Sequence, residues 1–431
     1  MRVLFLTNFY LVHGSGGEEQ SCQQVLEGLR QRGHTTLVLT SMHGSNNVAV
    51  EADGIYRSLY LEMDLTPLRH SINFFTQRKA RESHNLDVLE RVLREFEPDI
   101  VFIWGMWNLH YSLAVLAESR YPDRVVYRFA TYWPTLPSQH EFYWRSPGRN
   151  WYSRIPKQLL GRLALAMLTK ENHKSPLEFR HAYCVSAASR NVLIEAGVPI
   201  PHARVIHTGL DVQQYGTGRQ PQNSQRPDRK LNILYAGRLY PEKGIDTVIH
   251  ALRTLVADQG KRNISLSVAG SGSAEYEDQL RQLVQESGLT NSVSFLGWMP
   301  PTEIPGLLQN FDVLVLPSVW PEPFSRSVLE GMISGLVVVA TRTGGTPEII
   351  VDGENGLLFT PKDDKELATK IAALAEDPES RTRIANAGRQ TILKRFTMTR
   401  MMDQIEGYLQ EVACGSAVEI RDPLVAVQNP A

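Results

Sequence analysis

Short apolar runs rich in β-branched residues recur along the chain, at 3–6, 36–39, 100–103, 125–127, 182–185 and 204–206, then at 233–236, 266–269, 293–296, 313–316 and 337–340. Most are apolar on consecutive positions, with Thr36, Arg204, Ser267 and Ser294 as the polar exceptions, and all are too short for a helix, which is the pattern of a strand covered on both faces. Between many of them lie longer stretches of helical periodicity. The first unit is the clearest: a strand at 3–6, a loop over 8–17, and a helix over 18–31 in which Val25, Leu26 and Leu29 share a face before Gly33 stops it. Strand, helix and strand in that rhythm make a parallel sheet wrapped by helices, so the expected fold class is α/β, doubly wound.

The rhythm breaks once. Over 212–230 the sequence turns polar, with Pro, Gly, Gln, Asn and Arg and almost no apolar residues, and reads as an interdomain linker. The expected organisation is therefore a first Rossmann-like domain over 1–211, the linker over 212–230, and a second Rossmann-like domain over 231–395. A C-terminal helix over 396–413 is expected to pack back on the first domain, and 414–431, which lacks periodicity, reads as a mobile tail. In doubly wound sheets ligands sit beyond the carboxyl ends of the strands, so two facing domains would hold a ligand in the cleft between them.

Several function classes fall away on composition and motif. Lys plus Arg number 45 against 46 Asp plus Glu, so the bulk charge gives no attraction for nucleic acid. Cys22, Cys184 and Cys414 are odd in number and far apart, which argues against a disulfide framework and makes a reducing cytoplasm the simplest compartment. The apolar opening at 1–12 is interrupted by Thr7 and Asn8 and reads as a strand rather than a leader, and no run reaches the ~18–20 apolar residues of a membrane span. There is no H-E-x-x-H, no Cys/His cluster and no D-x-D at a strand end, so a fixed metal site is not expected; a P-loop is absent as well. A dinucleotide fingerprint fails twice, because Glu19 and Glu275 stand where the third glycine should be.

What remains lies at strand ends. Gly237 and Arg238 follow the strand at 233–236, and Pro241, Glu242, Lys243 and Gly244 lead into a helix from Ile245. Two cations flanking a glycine-rich turn at a helix N-terminus suit a phosphate group, although a capped helix with solvated cations would use the same residues. After 313–316 comes a loop that traps Glu322 between Pro321 and Pro323, with Glu330 inside a helix beginning near Ser325. The two carboxylates do not share one helical face, so they can hold two parts of a long ligand. After 337–340, Gly344 and Gly345 allow close backbone approach to a ligand, Pro347 suits a first helical turn, and Glu348 complements the dipole there. A plain strand-to-helix turn would also use them.

In this order, and each at a strand end, these pieces resemble the retaining glycosyltransferases of family 4 (glycosyl transferases group 1), whose GT-B fold is two facing Rossmann-like domains with a cleft between them. The pieces are Gly16 and Gly17, Gly237 and Arg238 with Glu242, Lys243 and Gly244, then Gly270, Ser271 and Gly272, then Phe295, Leu296 and Gly297, the E-x7-E pair Glu322 and Glu330, and the turn Gly344 to Glu348. The resemblance implies a nucleotide diphosphate sugar as donor substrate, no metal and no other cofactor. It implies that Arg238 and Lys243 stabilise the departing diphosphate, aided by Gly16 and Gly17, and that Glu330 accepts from the ribose hydroxyls. Glu322, with the amides around Phe324, Ser325 and Arg326, would hold the transferred sugar; Gly297, Trp298 and Met299 would lie along the base, and Gly272 would join the donor site. The implied catalytic residues are thus Glu322, Arg238 and Lys243.

One departure stands out. Many members carry His-Asp at a first-domain strand end, where this chain has Ala130 and Thr131 within Phe129 to Trp133, so Arg128 or Tyr132 would have to do the positioning, with Glu348 a further candidate. Otherwise the chain would be a non-catalytic nucleotide-sugar binder; an epimerase or phosphorylase on the same fold is the other alternative. On the acceptor side, 145–180 carries Arg145, Arg149, Arg154, Lys157, Arg162, Lys170, Lys174 and Arg180 against only Glu171 and Glu178, interleaved with Trp144, Trp151, Tyr152 and the apolar run 163–168. Such a segment can rest on an anionic membrane, which would suit a lipid-linked acceptor at the cytoplasmic face, or it can be an ordinary helix with a solvated basic face.

Overall fold

In the computed structural model the described residues are all but 12–15, 46–47, 66–69, 149–150, 172–176, 217–229, 262 and 416–431, with the backbone alone described at 151–153. The chain divides into two units: Met1–Val185, Arg190–Ile206 and Gln404–Ala431 form the first, and Ser186–Ser189 with His207–Asp403 form the second.

The first unit is built on β1 (Arg2–Thr7), β2 (Thr35–Ser41), β3 (Val50–Ala52), β4 (Ile55–Leu59), β5 (Ile100–Gly105), β6 (Val125–Phe129), β7 (His181–Cys184) and β8 (Arg204–Val205), in the order β3-β4-β2-β1-β5-β6-β7-β8. The pairings are parallel except between β3 and β4, which form an antiparallel edge. Val3, Leu4, Phe5 and Leu6 on β1 are fully buried, as consecutive apolar positions in a two-sided sheet must be. Around it lie α1 (Gly17–Gln31), α2 (His70–Thr76), α3 (Arg78–Phe96), α4 (Ser112–Arg120), α5 (Gln139–Arg145), α6 (Trp151–Glu171) and α7 (Ala187–Glu195). A capping box opens α5, with Ser138 and Glu141 exchanging hydrogen bonds.

The second unit holds β9 (Leu231–Ala236), β10 (Ile264–Ala269), β11 (Val293–Gly297), β12 (Val313–Leu316), β13 (Val337–Thr341) and β14 (Leu357–Phe359), ordered β11-β10-β9-β12-β13-β14 and parallel throughout. This is the 3-2-1-4-5-6 order of the Rossmann sheet, in which strand order reverses between the first and fourth strands, here β9 and β12. Its helices are α8 (Ile245–Leu252), α9 (Ala274–Glu286), α10 (Ile304–Leu308), α11 (Arg326–Ile333), α12 (Asp364–Glu376), α13 (Pro378–Arg395) and α14 (Met398–Ala413). Two apolar clusters, one on each side of the sheet's strands, make its core.

The polar stretch expected to be a linker from 212 starts inside the second unit instead. Val212–Tyr215 forms a 3-10 turn capped by Asp211, and the aromatic ring of Tyr215 is 5% exposed in the core beside α11. A buried aromatic side chain anchors that turn, which a composition-based reading weighs too lightly; the remainder, 217–229, and the tail from 416 lie outside the described residues. From Gln404 onward α14 belongs with the first unit, where Glu406 receives Arg32 at 2.6 Å and His34 at 2.7 Å and the Tyr408 hydroxyl donates to the Ala182 carbonyl.

Candidate functional site

The order reversal between β9 and β12 puts their two carboxyl ends side by side, and an open cavity of about 650 Å³ lies there. Arg238, Lys243, Ser318, Glu322, Phe324, Ser325, Arg326, Thr341 and Thr346 are among its lining. Arg238 follows β9; its carbonyl accepts from the buried Tyr235 hydroxyl at 2.8 Å, which fixes the backbone, while its guanidinium is exposed with its carbon 5.5 Å from the Tyr240 ring centre. Lys243 ends the 3-10 turn Pro241–Lys243, and Gly244 at φ 67° redirects the chain into α8. Its ammonium forms an ion pair with Glu322, whose same oxygen accepts from Ser318 Oγ at 3.0 Å. A cation and a carboxylate from two different strand ends are therefore joined across the cavity.

The Glu322 loop is held from behind. Val319 N–H donates to the Glu242 carbonyl at 2.9 Å, tying the two strand-end loops together, and Gly345 N–H donates to the Glu322 carbonyl at 2.9 Å. A Cβ on Gly344, at φ 52°, would stand 2.1 Å from that carbonyl oxygen. The Gly344–Gly345 pair thus makes a close approach to the backbone of Glu322 and Pro323. Gly272 is used similarly: a Cβ there would lie 2.0 Å from the Leu239 carbonyl, and its N–H donates to Glu277 at 2.8 Å, so its amide is already engaged.

Glu330 stands one turn into α11 and receives Arg326 Nε at 2.9 Å, both side chains being less than a fifth exposed. Gly297, Trp298 and Met299 lie at the end of the edge strand β11, outside the cavity lining, with Trp298 59% exposed. Gly16 and Gly17 open α1 in the first unit and are exposed there.

Glu348 departs from expectation. The turn Thr346–Glu348 is a single 3-10 turn and no helix follows whose dipole the carboxylate could serve. The side chain instead accepts from the N–H groups of Ala187 at 3.0 Å and Ala188 at 2.8 Å, the first turn of α7, and from His207 Nε2 at 2.9 Å. Burial pushes its carboxyl up, but the bonds from His207, Ala188 and Ala187 outweigh this and hold it below the ordinary range. The two first-unit candidates are also enclosed. Arg128 is 5% exposed, its guanidinium carbon 4.1 Å from the Trp104 ring centre and Nη1 3.6 Å from Glu18, and Tyr132 is 6% exposed in the core. Neither presents its side chain openly at the end of β6.

Sequence reasoning missed Thr341 and Thr346 in the cavity lining and His207 behind Glu348. Thr341 Oγ1 donates to the Ser318 carbonyl at 2.6 Å and so braces the loop that carries Glu322. The one available signal was its position as the first polar residue closing β13. Among the described residues no group of three or more His, Cys, Asp or Glu side chains could hold a metal ion, and no helix is long and apolar enough to cross a membrane.

Two Rossmann-like units, one with cations and carboxylates converging at its strand-order reversal, are the components of a GT-B fold. The profile described as Glycosyltransferase Family 4 matches residues 15–214, and that described as Glycosyl transferases group 1 matches residues 217–391. The chain belongs to this glycosyltransferase family. A D-inositol 3-phosphate glycosyltransferase of Corynebacterium efficiens is 32% identical over 188 residues, 42% of this chain and 44% of that protein. A glycogen synthase of Mycobacterium tuberculosis is 29% identical over 214 residues, 49% of each. The chain thus spans about half the length of the curated relatives it matches. Among solved structures, sucrose-phosphate synthase from Thermosynechococcus elongatus superposes with a TM-score of 0.69 at 17% identity, covering 96% of this chain and 100% of that one. Anabaena Alr3699/HepE in complex with UDP and glucose gives 0.63 at 24% identity, covering 95% and 99%. At such identities the likeness is one of fold.

Proposed function

We propose that the chain is a metal-independent, retaining glycosyltransferase that moves a sugar from a nucleotide diphosphate sugar to an acceptor in the synthesis of a cell-surface polysaccharide or glycolipid. The observation that carries this reading is the convergence of Arg238, Lys243, Glu322 and Arg326 on one cavity at the reversal of strand order. Breaking a sugar–diphosphate bond leaves negative charge on the diphosphate, and preorganised cations lower the energy of that state. Arg238 and Lys243 take this role, while Glu322 and the backbone amides of 324–326 receive the hydroxyls of the sugar. The Lys243–Glu322 ion pair sets the phosphate-binding and sugar-binding groups against each other before a donor arrives. Glu330, braced by Arg326, accepts from the ribose. Gly297, Trp298 and Met299 flank the base; Gly16, Gly17 and Gly272 complete the proposed donor-binding set, Gly272 by packing.

UDP-sugars are the first donors to try, since HepE is described in complex with UDP and with UDP-glucose. The acceptor is a sugar, a lipid-linked sugar or a small molecule, met in the cytoplasm or at the inner face of the membrane. The test is a thermal-shift titration with UDP, GDP, ADP and their sugar conjugates in EDTA, because a ligand that binds only the folded state raises its stability, by about 2.7 kcal/mol at a hundred times Kd. Stabilisation by one nucleotide class in EDTA is the expected result; no stabilisation by any, with or without magnesium, defeats the reading. Ala130 and Thr131 favour a second reading, a binder without turnover. Slow donor hydrolysis in the absence of acceptor would exclude it.

A further inference from the structure

Helix α6 is apolar on two sides. Its inner side packs on α2 and α5: Ala164 is buried with Phe74 and Trp144, Leu165 and Leu168 pack against them, and a Cβ on Gly161 would stand 3.1 Å from the Trp144 carbonyl. Its outer side carries Ile155, Leu159 and Leu163, which are 68%, 62% and 55% exposed, with Leu160 at 42%. Positions 155, 159 and 163 are spaced by four and so form one line about 12 Å long. The neighbouring helices add exposed apolar side chains, Ile72 and Phe75 on α2 and Phe142 on α5.

Along 145–170 the charge has one sign. Arg145, Arg154, Arg162 and Lys170 are exposed, Lys157 is half-buried, and Glu171 is the single acidic residue between 145 and 171. That carboxylate is taken by Arg78 at 2.7 Å and Lys79 at 3.2 Å, so it does not offset the outer cations. A basic solvent-facing helix with leucines in line between the cations is the composition of a helix that lies in a membrane interface. Two copies meeting through this face would bring like charges together around the stripe, whereas anionic lipid headgroups match them. We propose that the outer face of α6 docks on an anionic lipid bilayer, with Ile155, Leu159 and Leu163 entering the acyl boundary and the arginines and lysines at headgroup level. This deepens the lipid-linked arm of the proposed function, yet its evidence is the α6 surface and its test does not depend on donor turnover.

The test is flotation of the full chain with vesicles of phosphatidylcholine containing about a quarter phosphatidylglycerol, against pure phosphatidylcholine, across a salt series. The chain should float with the anionic vesicles, release as salt rises, and stay largely unbound with the neutral ones. Leu159→Glu with Leu163→Glu should weaken binding by about tenfold or more, since both side chains would carry charge into the boundary, and leave thermal stability and nucleotide-induced stabilisation unchanged. Should the charges perturb the helix, Leu159→Ser with Leu163→Ser gives the same readout. Arg154→Ala with Arg162→Ala should flatten the salt dependence. No flotation with anionic vesicles at low salt overturns the proposal, as does equal binding by the leucine variants. A wild-type dimer that the leucine variants convert to monomer overturns it in favour of a second copy.

Discussion

At the scale of single residues, the site is two carboxylates with different neighbours and therefore different expected losses. Glu330 touches Arg326 and sits beside the buried Tyr215, whose phenol is pushed up by burial and then by the Glu330 charge. Glu330→Ala should weaken nucleotide affinity by about 1–3 kcal/mol, the worth of a charged acceptor, read by isothermal titration; unchanged affinity in a folded variant would remove Glu330 from the ribose. Glu322→Gln should lower turnover more than nucleotide affinity, because the role proposed for Glu322 is toward the transferred sugar, with Lys243 and Ser318 holding its carboxylate in place. Gly344→Ala acts on the same carboxylate without touching the cavity, since the new Cβ collides with the Glu322 carbonyl. Its turnover should fall as far as that of Glu322→Gln, and the double variant should be no worse than either, which a coupled pair shows and two independent sites do not. The strand-end positions of Arg238 and Lys243 were legible in the sequence, although a capped helix would use the same residues; that both line one cavity is visible only in the fold. The partners of Glu348 were not legible: after Gly-Gly-x-Pro it reads as complementing the dipole of a helix beginning there, and nothing local discloses that the α7 amides and His207 arrive from elsewhere in the chain.

At the scale of elements, α2 and α5 meet through a pair of buried histidines, and their titration gives the fold an acid limit. His140 Nδ1 lies 3.4 Å from His70 Nε2, and both residues are 3% exposed. Burial pushes His70 down to about 4 and His140 to about 2, with His70, His110, Arg78 and Arg81 adding to the effect on His140. An unfolded histidine titrates near 6.5, so between about pH 6.5 and these lower values the unfolded chain binds more protons than the folded one. The stability they contribute is complete above about pH 6.5 and is lost as pH falls, at about 1.4 kcal/mol per unit per group, or about 2 kcal/mol for each at pH 5. His110 works the other way: burial lowers it, but Glu82 and Glu62 raise it more, so it favours the folded state at acid pH and offsets part of the loss. Urea unfolding at pH 7.5, 6 and 5 should show the decline, and His140→Phe should reduce its slope; a flat profile would mean that the pair is solvated. No sequence pattern announced this pair, because His70 and His140 come from helices seventy residues apart. Most strands were legible, since a parallel sheet buried on both faces writes itself as consecutive apolar residues. β3, β4 and β14 were missed: β3 and β14 are three residues each, β3 is fully exposed, and β4 is interrupted by Arg57 and Ser58 and only half-buried over its first three residues.

At the scale of the whole chain, the last helix divides its contacts, and that division can be used to weigh the first unit separately. From Gln404 onward α14 buries Ile405, Tyr408, Leu409 and Val412, each at 2% exposure or less, and ties Glu406 to Arg32 and His34. Burying four such side chains stabilises by about 1.5–3 kcal/mol apiece, which together rivals the 5–15 kcal/mol that holds a typical domain folded. The second unit keeps its two apolar clusters without them, because its core closes on Ile392 and Phe396 before the helix begins. A chain ending at Asp403 should therefore lose the calorimetric transition of the first unit, or show it strongly lowered. The transition of the second unit should persist and still rise with added nucleotide, since Arg238, Lys243, Glu322 and Glu330 all lie within it. Loss of the nucleotide effect together with the first transition would place an indispensable part of the donor site in the first unit, and would direct attention to Gly16 and Gly17. An unchanged thermogram would mean that the end of α14 contributes little despite its burial.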